Sequence, residues 1–293
     1  MKKTGIVTLL LLLSTQACAD PPKRVAFIFS SFRDTTAKDP IDKKSTWRNA
    51  AGTYQAIREL GVPKEYITIL YNDKNPDKQD NSIALKGEID EMPLLEGTYE
   101  KLEQAFREKT KNLNRGDEVI LSILSHGGDD GVLYPDYGEN ISGLQLSMLI
   151  NTTKAKTAAF YSACNSETLL DRSVARYAAQ VSATNRTHLS WSDRNYCSNA
   201  DFFSAFTTRA ADTDKNGKVS FEEAVAYTSK KWRTYKHDFL DQYILNSYLY
   251  PNDFDNPVDL DYENKKALVN NLVCDPVLKR GAYLPVSWTL EKR

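Results

Sequence analysis

Three observations predict an α/β fold with a mostly parallel central sheet flanked by helices. Short apolar runs rich in branched and aromatic residues recur at Arg24–Ser30, Tyr66–Tyr71, Glu118–Ser125, Thr157–Ala163 and Tyr177–Ser182. Such runs are expected of strands buried on both faces of a parallel sheet. Stretches between them return their apolar residues at helical spacing, giving the strand–helix–strand order of right-handed parallel crossovers. At 293 residues the chain is long enough for one large α/β domain. Its net charge of -1, from 38 basic and 39 acidic residues, leaves no electrostatic footprint for nucleic acid or an anionic membrane.

Residues 1–19 read as an export signal outside the fold. Lys2 and Lys3 form the basic start, Ile6 to Leu13 the apolar core, and Ala17-Cys18-Ala19 a small-residue cleavage site. The apolar run is far shorter than the ~20 residues of a spanning helix. Cleavage after Ala19 predicts a periplasmic or secreted protein whose domain occupies 20–293. A lipid anchor on Cys18 is the alternative, against which Thr15 stands where a branched apolar residue is expected.

The remaining elements follow in order. Arg24–Ser30 is the first strand, and the polar stretch Ser31–Ser45 with Asp39-Pro40 reads as a loop. From Trp47 to Leu60, Ala50, Ala51, Tyr54, Ile57 and Leu60 share helical spacing, and Gly61 with Pro63 beyond it ends the helix. Tyr66–Tyr71 is the second strand and 72–93 a loop. Thr98–Asn114 is a helix carrying Leu102, Ala105 and Phe106; Ser142–Ile150 and Thr168–Ala175 are shorter ones. Gly281–Trp288 reads as an edge strand, because Pro285 removes one ladder donor.

Two of these strands end on reactive side chains. Glu118–Ser125 runs into His126-Gly127-Gly128, and Thr157–Ala163 runs into Cys164-Asn165-Ser166. Sites in open parallel sheets assemble at the carboxyl ends of strands. If these two are neighbours, an imidazole and a thiol emerge side by side, as a nucleophile and its proton-handling partner require. His126 would lower the thiol pKa or act as base, and the N–H groups of Gly127 and Cys164 would receive an oxyanion. The plainer readings are a small core cysteine, a strand-capping histidine and a glycine turn needing positive φ.

Ser125-His126-Gly127-Gly128, Gly131 to Pro135 and Phe160 to Cys164 resemble the paired His-Gly and Ala-Cys signatures of the legumain and caspase clan of cysteine peptidases. Tyr54 to Pro63 resembles the helix and turn after the first strand in legumain and in the GPI-transamidase catalytic subunit. The resemblance spans roughly residues 24–235 and implies a caspase/legumain-like three-layer sandwich with a Cys164/His126 dyad. Two departures stand out. Ser45 and Thr46 occupy the places of the Arg-His pair that legumain-like proteins use for specificity, with Arg48 three residues out of register. Asn165-Ser166-Glu167 replaces Glu-Ser-Gly after the nucleophile. Ser182 to Arg186 and Ser190-Trp191 lie where the clan builds a pocket wall.

A second pattern lies at 212–223. Asp212, Asp214 and Asn216 supply oxygens at positions one, three and five of an EF-hand calcium loop, with Gly217 at six and Glu223 at twelve. Lys218 would offer its backbone carbonyl and Ser220 a direct or water-mediated contact, while Val219 packs inward. Phe202–Ala210 and Glu222–Trp232 read as the flanking helices. A solvated Asp/Asn/Gly turn is the plainer reading. A solitary exported loop predicts a structural calcium clamp with affinity on the order of 10⁻⁴–10⁻³ M.

Of four cysteines, Cys18 would leave with the signal, and Cys164, Cys197 and Cys274 would remain. An odd number leaves one thiol unbonded. A Cys197–Cys274 disulfide with Cys164 reduced suits a thiol enzyme, and three thiols are the alternative. His188 and His237 read as surface or cap residues, and the acidic stretch Pro251–Asp261 as a solvated loop. The sequence therefore predicts an exported cysteine endopeptidase acting on protein or peptide through a thioester and stabilised by calcium. The alternatives are a non-catalytic calcium-stabilised binding protein on the same scaffold and a transamidase or transpeptidase.

Overall fold

The structure is a computed structural model that describes residues 22–31, 40–71, 88–89, 91–135, 138–187, 198–249 and 276–292. Residues 1–19, read above as an export signal, Cys197, Cys274, His188, Ser190-Trp191 and the 251–261 stretch lie outside the described residues.

Strands β1 (Arg24–Ser31), β2 (Ile67–Tyr71), β3 (Leu94–Glu96), β4 (Glu118–Gly127), β7 (Lys156–Ser162), β8 (Ala178–Ser182) and β9 (Val277–Arg280) form one sheet in the order β3-β2-β1-β4-β7-β8-β9. Every pairing in it is parallel except β8 with β9. Two short strands, β5 (Val132–Tyr134) and β6 (Ile141–Ser142), fold back antiparallel on the end of β4. All eight residues of β1 are buried, as its near-continuous apolar run requires.

Helices cover both faces. On one, α1 (Pro40–Glu59), α5 (Ser198–Ala205) and α6 (Phe221–Leu249) pack Trp47, Tyr54, Phe202, Phe203 and Phe221 onto Ile28, Ile120 and Phe160. On the other, α2 (Tyr99–Thr110), α3 (Gly143–Ile150) and α4 (Glu167–Asp171) bury Phe106, Leu146 and Leu170 against Phe27, Leu121 and Tyr161. The result is the expected three-layer α/β sandwich. No helix among the described residues is long and apolar enough to cross a membrane.

Local chemistry sets the element ends. Past α1, Gly61 adopts φ 87°, its N–H reaches the Arg58 carbonyl and that of Val62 reaches Ile57. This is a left-handed glycine cap. Thr98 caps α2 through the Lys101 N–H, and Ser142 forms a reciprocal capping box with Gln145 at α3.

Four expectations are corrected. Helix α1 begins at Pro40 rather than Trp47, since proline suits a first helical position that donates no hydrogen bond. The helix after Cys164 is confined to Glu167–Asp171, and the one before the 212–223 loop to Ser198–Ala205, followed by a single 3₁₀ turn at Arg209–Ala211. The edge strand is Val277–Arg280, not Gly281–Trp288. Gly281 lies against the carbonyls of Ala175 and Arg176, where a Cβ would come within 2.5 and 2.4 Å. Pro285 then opens a turn closed by the Trp288 N–H, so this segment leaves the ladder.

Candidate active site and calcium loop

Strands β4 and β7 are hydrogen-bonded neighbours at the middle of the sheet. Their register pairs Glu118 with Lys156 and Leu124 with Ser162, an offset of 38 (156 − 118). Continued past the last paired residues, Leu124 and Ser162, the same offset (164 − 126 = 38) puts His126 and Cys164 at the same end of neighbouring strands. His126 is exposed in the last turn of β4's pleat, and half-buried Cys164, a thiol rather than a disulfide, opens the turn after β7. The structure thus brings these two predicted residues to one sheet edge.

Gly127 shows how tightly the two strand ends meet. A Cβ added there would lie 2.5 Å from the Cys164 carbonyl oxygen and 2.9 Å from Ala163 Cβ. Neither Gly127 nor Gly128 has positive φ, so close approach rather than a left-handed turn calls for glycine at 127. The Gly128 N–H donates to the Val132 carbonyl. Alternation in the antiparallel ladder then makes Gly127 and Leu133 the non-bonded pair, which turns the Gly127 N–H away from β5.

The turn carrying Cys164 is fixed on both flanks. Asn165 takes φ 53°, a left-handed conformation that asparagine tolerates, and its side-chain amide donates to the Arg186 carbonyl at 2.8 Å. Ser166 and Thr184, both fully buried, exchange backbone and hydroxyl hydrogen bonds, and the Thr184 hydroxyl also donates to the Ala163 carbonyl at 3.1 Å. On the other flank the Thr168 hydroxyl faces the carbonyls of Asn165 at 2.6 Å and Gly128 at 3.1 Å. Arg186 is engaged by Glu167 and Asp171, at 3.5 and 3.2 Å, so this exposed cation is already balanced by two carboxylates.

The EF-hand-type loop closes around its acidic residues. The Asp212 carboxylate accepts the N–H groups of Asn216 and Gly217, at 3.1 and 3.0 Å. Gly217 takes φ 85° and Lys215 φ 61°. One carboxylate oxygen from each of Asp212, Asp214 and Glu223 lies within 4.8 Å of the others. Asn216 accepts the Lys218 N–H at 2.8 Å, and the Lys218 ammonium turns outward to Glu291, also at 2.8 Å. Ser220 and Glu223 cap each other. The hydroxyl and N–H of Thr213 donate to Glu223 at 2.6 and 2.7 Å, and with the Ser220 N–H they pull its carboxyl down to about 2. Val219 is buried, as expected of loop position eight, and its carbonyl accepts the Thr289 hydroxyl. The oxygen set is hard and anionic, which suits calcium.

Sequence reasoning missed Thr168, Thr184 and Thr213. Each is a short hydroxyl residue whose partner lies on a different turn, so no spacing rule singles it out. Arg48 and the Ser45-Thr46 position belong to α1.

No family model matches the sequence, and no curated protein matches it. Among solved structures, the chain is similar to caspase-1 from Spodoptera frugiperda, with a TM-score of 0.53 and 11% identity over 89% of this chain and 87% of that one. The fold is therefore caspase-like.

Proposed function

We propose that the protein is an exported cysteine endopeptidase of the legumain/caspase type, braced by one calcium ion. The observation that supports this reading is the register of β4 and β7, which puts His126 and Cys164 at the same end of neighbouring strands, with Gly127 pressed against the cysteine backbone. In the proposed reaction the Cys164 thiolate attacks the peptide carbonyl carbon, and the N–H groups of Gly127 and Cys164 receive the oxyanion. Protonated His126 gives its proton to the departing amine as the C–N bond breaks. Water then attacks the thioester, losing a proton to His126, and the C–S bond breaks to release the acid and restore the Cys164 thiolate beside protonated His126.

Asp212, Asp214, Asn216, Ser220, Glu223 and the Lys218 carbonyl would hold calcium, which when bound supplies neutralising charge to the converging carboxylates. The cleavage-site preference is left to experiment, since Arg186 is balanced and the Arg-His pair is absent. A transamidase would use the same thioester with an amine in place of water. The test is a profile of peptides incubated with the purified full chain and calcium, with and without added hydroxylamine or glycinamide. Cleavage that vanishes in Cys164→Ala supports the endopeptidase. Aminolysed product alone points to transfer. No turnover, with peptide still bound, points to a binding protein.

A further inference from the structure

The geometry points to Thr168 as the positioning residue that locks the turn of Cys164 onto the hairpin of His126, an inference that rests on the dyad proposed above. One hydroxyl stands between two carbonyls on opposite sides of the site. Asn165, directly after Cys164, lies at 2.6 Å, and Gly128, two residues after His126, lies at 3.1 Å. The Asn165 carbonyl also accepts the Thr168 N–H at 3.0 Å, so on that side the hydroxyl is redundant. The bond to Gly128 is the one that crosses from one turn to the other.

The surrounding backbone gives the link leverage. A Cβ at Gly131 would lie 2.8 Å from the Thr168 carbonyl oxygen, and one at Gly143 only 2.1 Å from that of Leu169. The N–H of Gly143 donates to the Gly131 carbonyl, so both glycines belong to one hydrogen-bonded hairpin. Helix α4 therefore rests backbone to backbone on the β4–β5–β6 hairpin, with no side chain between to take up slack. Thr168 is itself 9% exposed, which keeps water from substituting easily for its hydroxyl. A shift of the cysteine turn relative to the hairpin changes the sulfur-to-imidazole distance directly, and an error near 1 Å in such geometry costs on the order of a hundredfold in rate.

The test is the second-order rate of Cys164 alkylation by iodoacetamide against pH, on the full chain with calcium. Wild type, His126→Ala, Thr168→Val and Thr168→Ser are compared, each with its melting temperature. Thr168→Val keeps the shape and loses the hydroxyl, whereas Thr168→Ser keeps the hydroxyl. The expected result is a fall of about tenfold in the neutral-pH rate for Thr168→Val, with its pH midpoint rising toward the ordinary thiol value of about 8.5. Thr168→Ser should recover most of the rate. A Thr168→Val profile equal to wild type overturns the inference, as does a lowered melting temperature with an unchanged profile. If His126→Ala also leaves the profile unchanged, the dyad itself has failed, and that outcome is distinct from the first.

Discussion

At Gly127 backbone geometry and chemistry meet in one residue. Its Cβ position is occupied by a main-chain oxygen of Cys164, which cannot swing aside as a side-chain end would. Gly127→Ala should therefore displace the cysteine turn, costing about 1–3 kcal/mol in a urea titration and lowering peptide cleavage more than that destabilisation explains. Cys164→Ala removes the nucleophile without crowding its site. It should cut cleavage by at least about a thousandfold while the melting temperature stays near that of wild type. That His126 and Cys164 stand at strand ends was legible in the sequence because each follows a run that reads as a strand. That β4 and β7 are neighbours in this register was not legible, because parallel pairing leaves register to long-range packing. The hydroxyl link from Thr168 was likewise hidden, since its two acceptors are 37 positions apart (165 − 128).

Among elements, the 212–223 loop offers the cleanest titration. Hydrogen bonds from Thr213 and Ser220 hold the Glu223 carboxyl at about 2, below its ordinary 4.5. A depressed carboxyl stabilises the fold above its unfolded value and loses that contribution as protons bind. The loop should therefore loosen as pH falls from 4.5 toward 2, by a small amount because solvent screens a partly exposed group. Calcium at millimolar concentration should raise the melting temperature at pH 7, and Glu223→Gln should abolish most of that rise; an equal rise in the variant would argue against the site. The clustering of Asp212, Asp214 and Glu223 was readable because these residues are close in sequence, whereas β3, β5 and β6 were not. Strands of two or three residues carry no period, and they exist here because β2 and the end of β4 offer them partners. The C-terminal strand was misread by a few residues for a related reason. Val277–Arg280 pairs antiparallel with β8, while the more apolar Gly281–Trp288 turns away to seat Trp288 on Phe221.

For the whole molecule, the sheet divides stability from chemistry. At the end opposite the candidate site, buried Arg24 pairs with Glu118 at 2.5 Å and donates to the carbonyls of Leu60 and Glu291. Glu118 also accepts the Trp288 indole N–H at 3.1 Å. The first and fourth strands, the α1 end and the C-terminal segment thus converge on one ion pair. Removing one partner of a buried pair strands the other charge, so Glu118→Ala should destabilise by about 3–5 kcal/mol in chemical denaturation. The surviving folded fraction should keep its thiol reactivity. The parallel α/β sandwich followed from the order of apolar runs, as such topologies do once handedness is fixed, whereas its caspase-like character came from the resemblance of the motifs at His126 and Cys164. The central claim, a thiol activated by a neighbouring imidazole, is tested most directly by mass spectrometry of the calcium-loaded protein after exposure to a peptidyl acyloxymethyl ketone. The expected result is one adduct on Cys164, absent in His126→Ala. No adduct on Cys164, or an equal yield in the histidine variant, would contradict it.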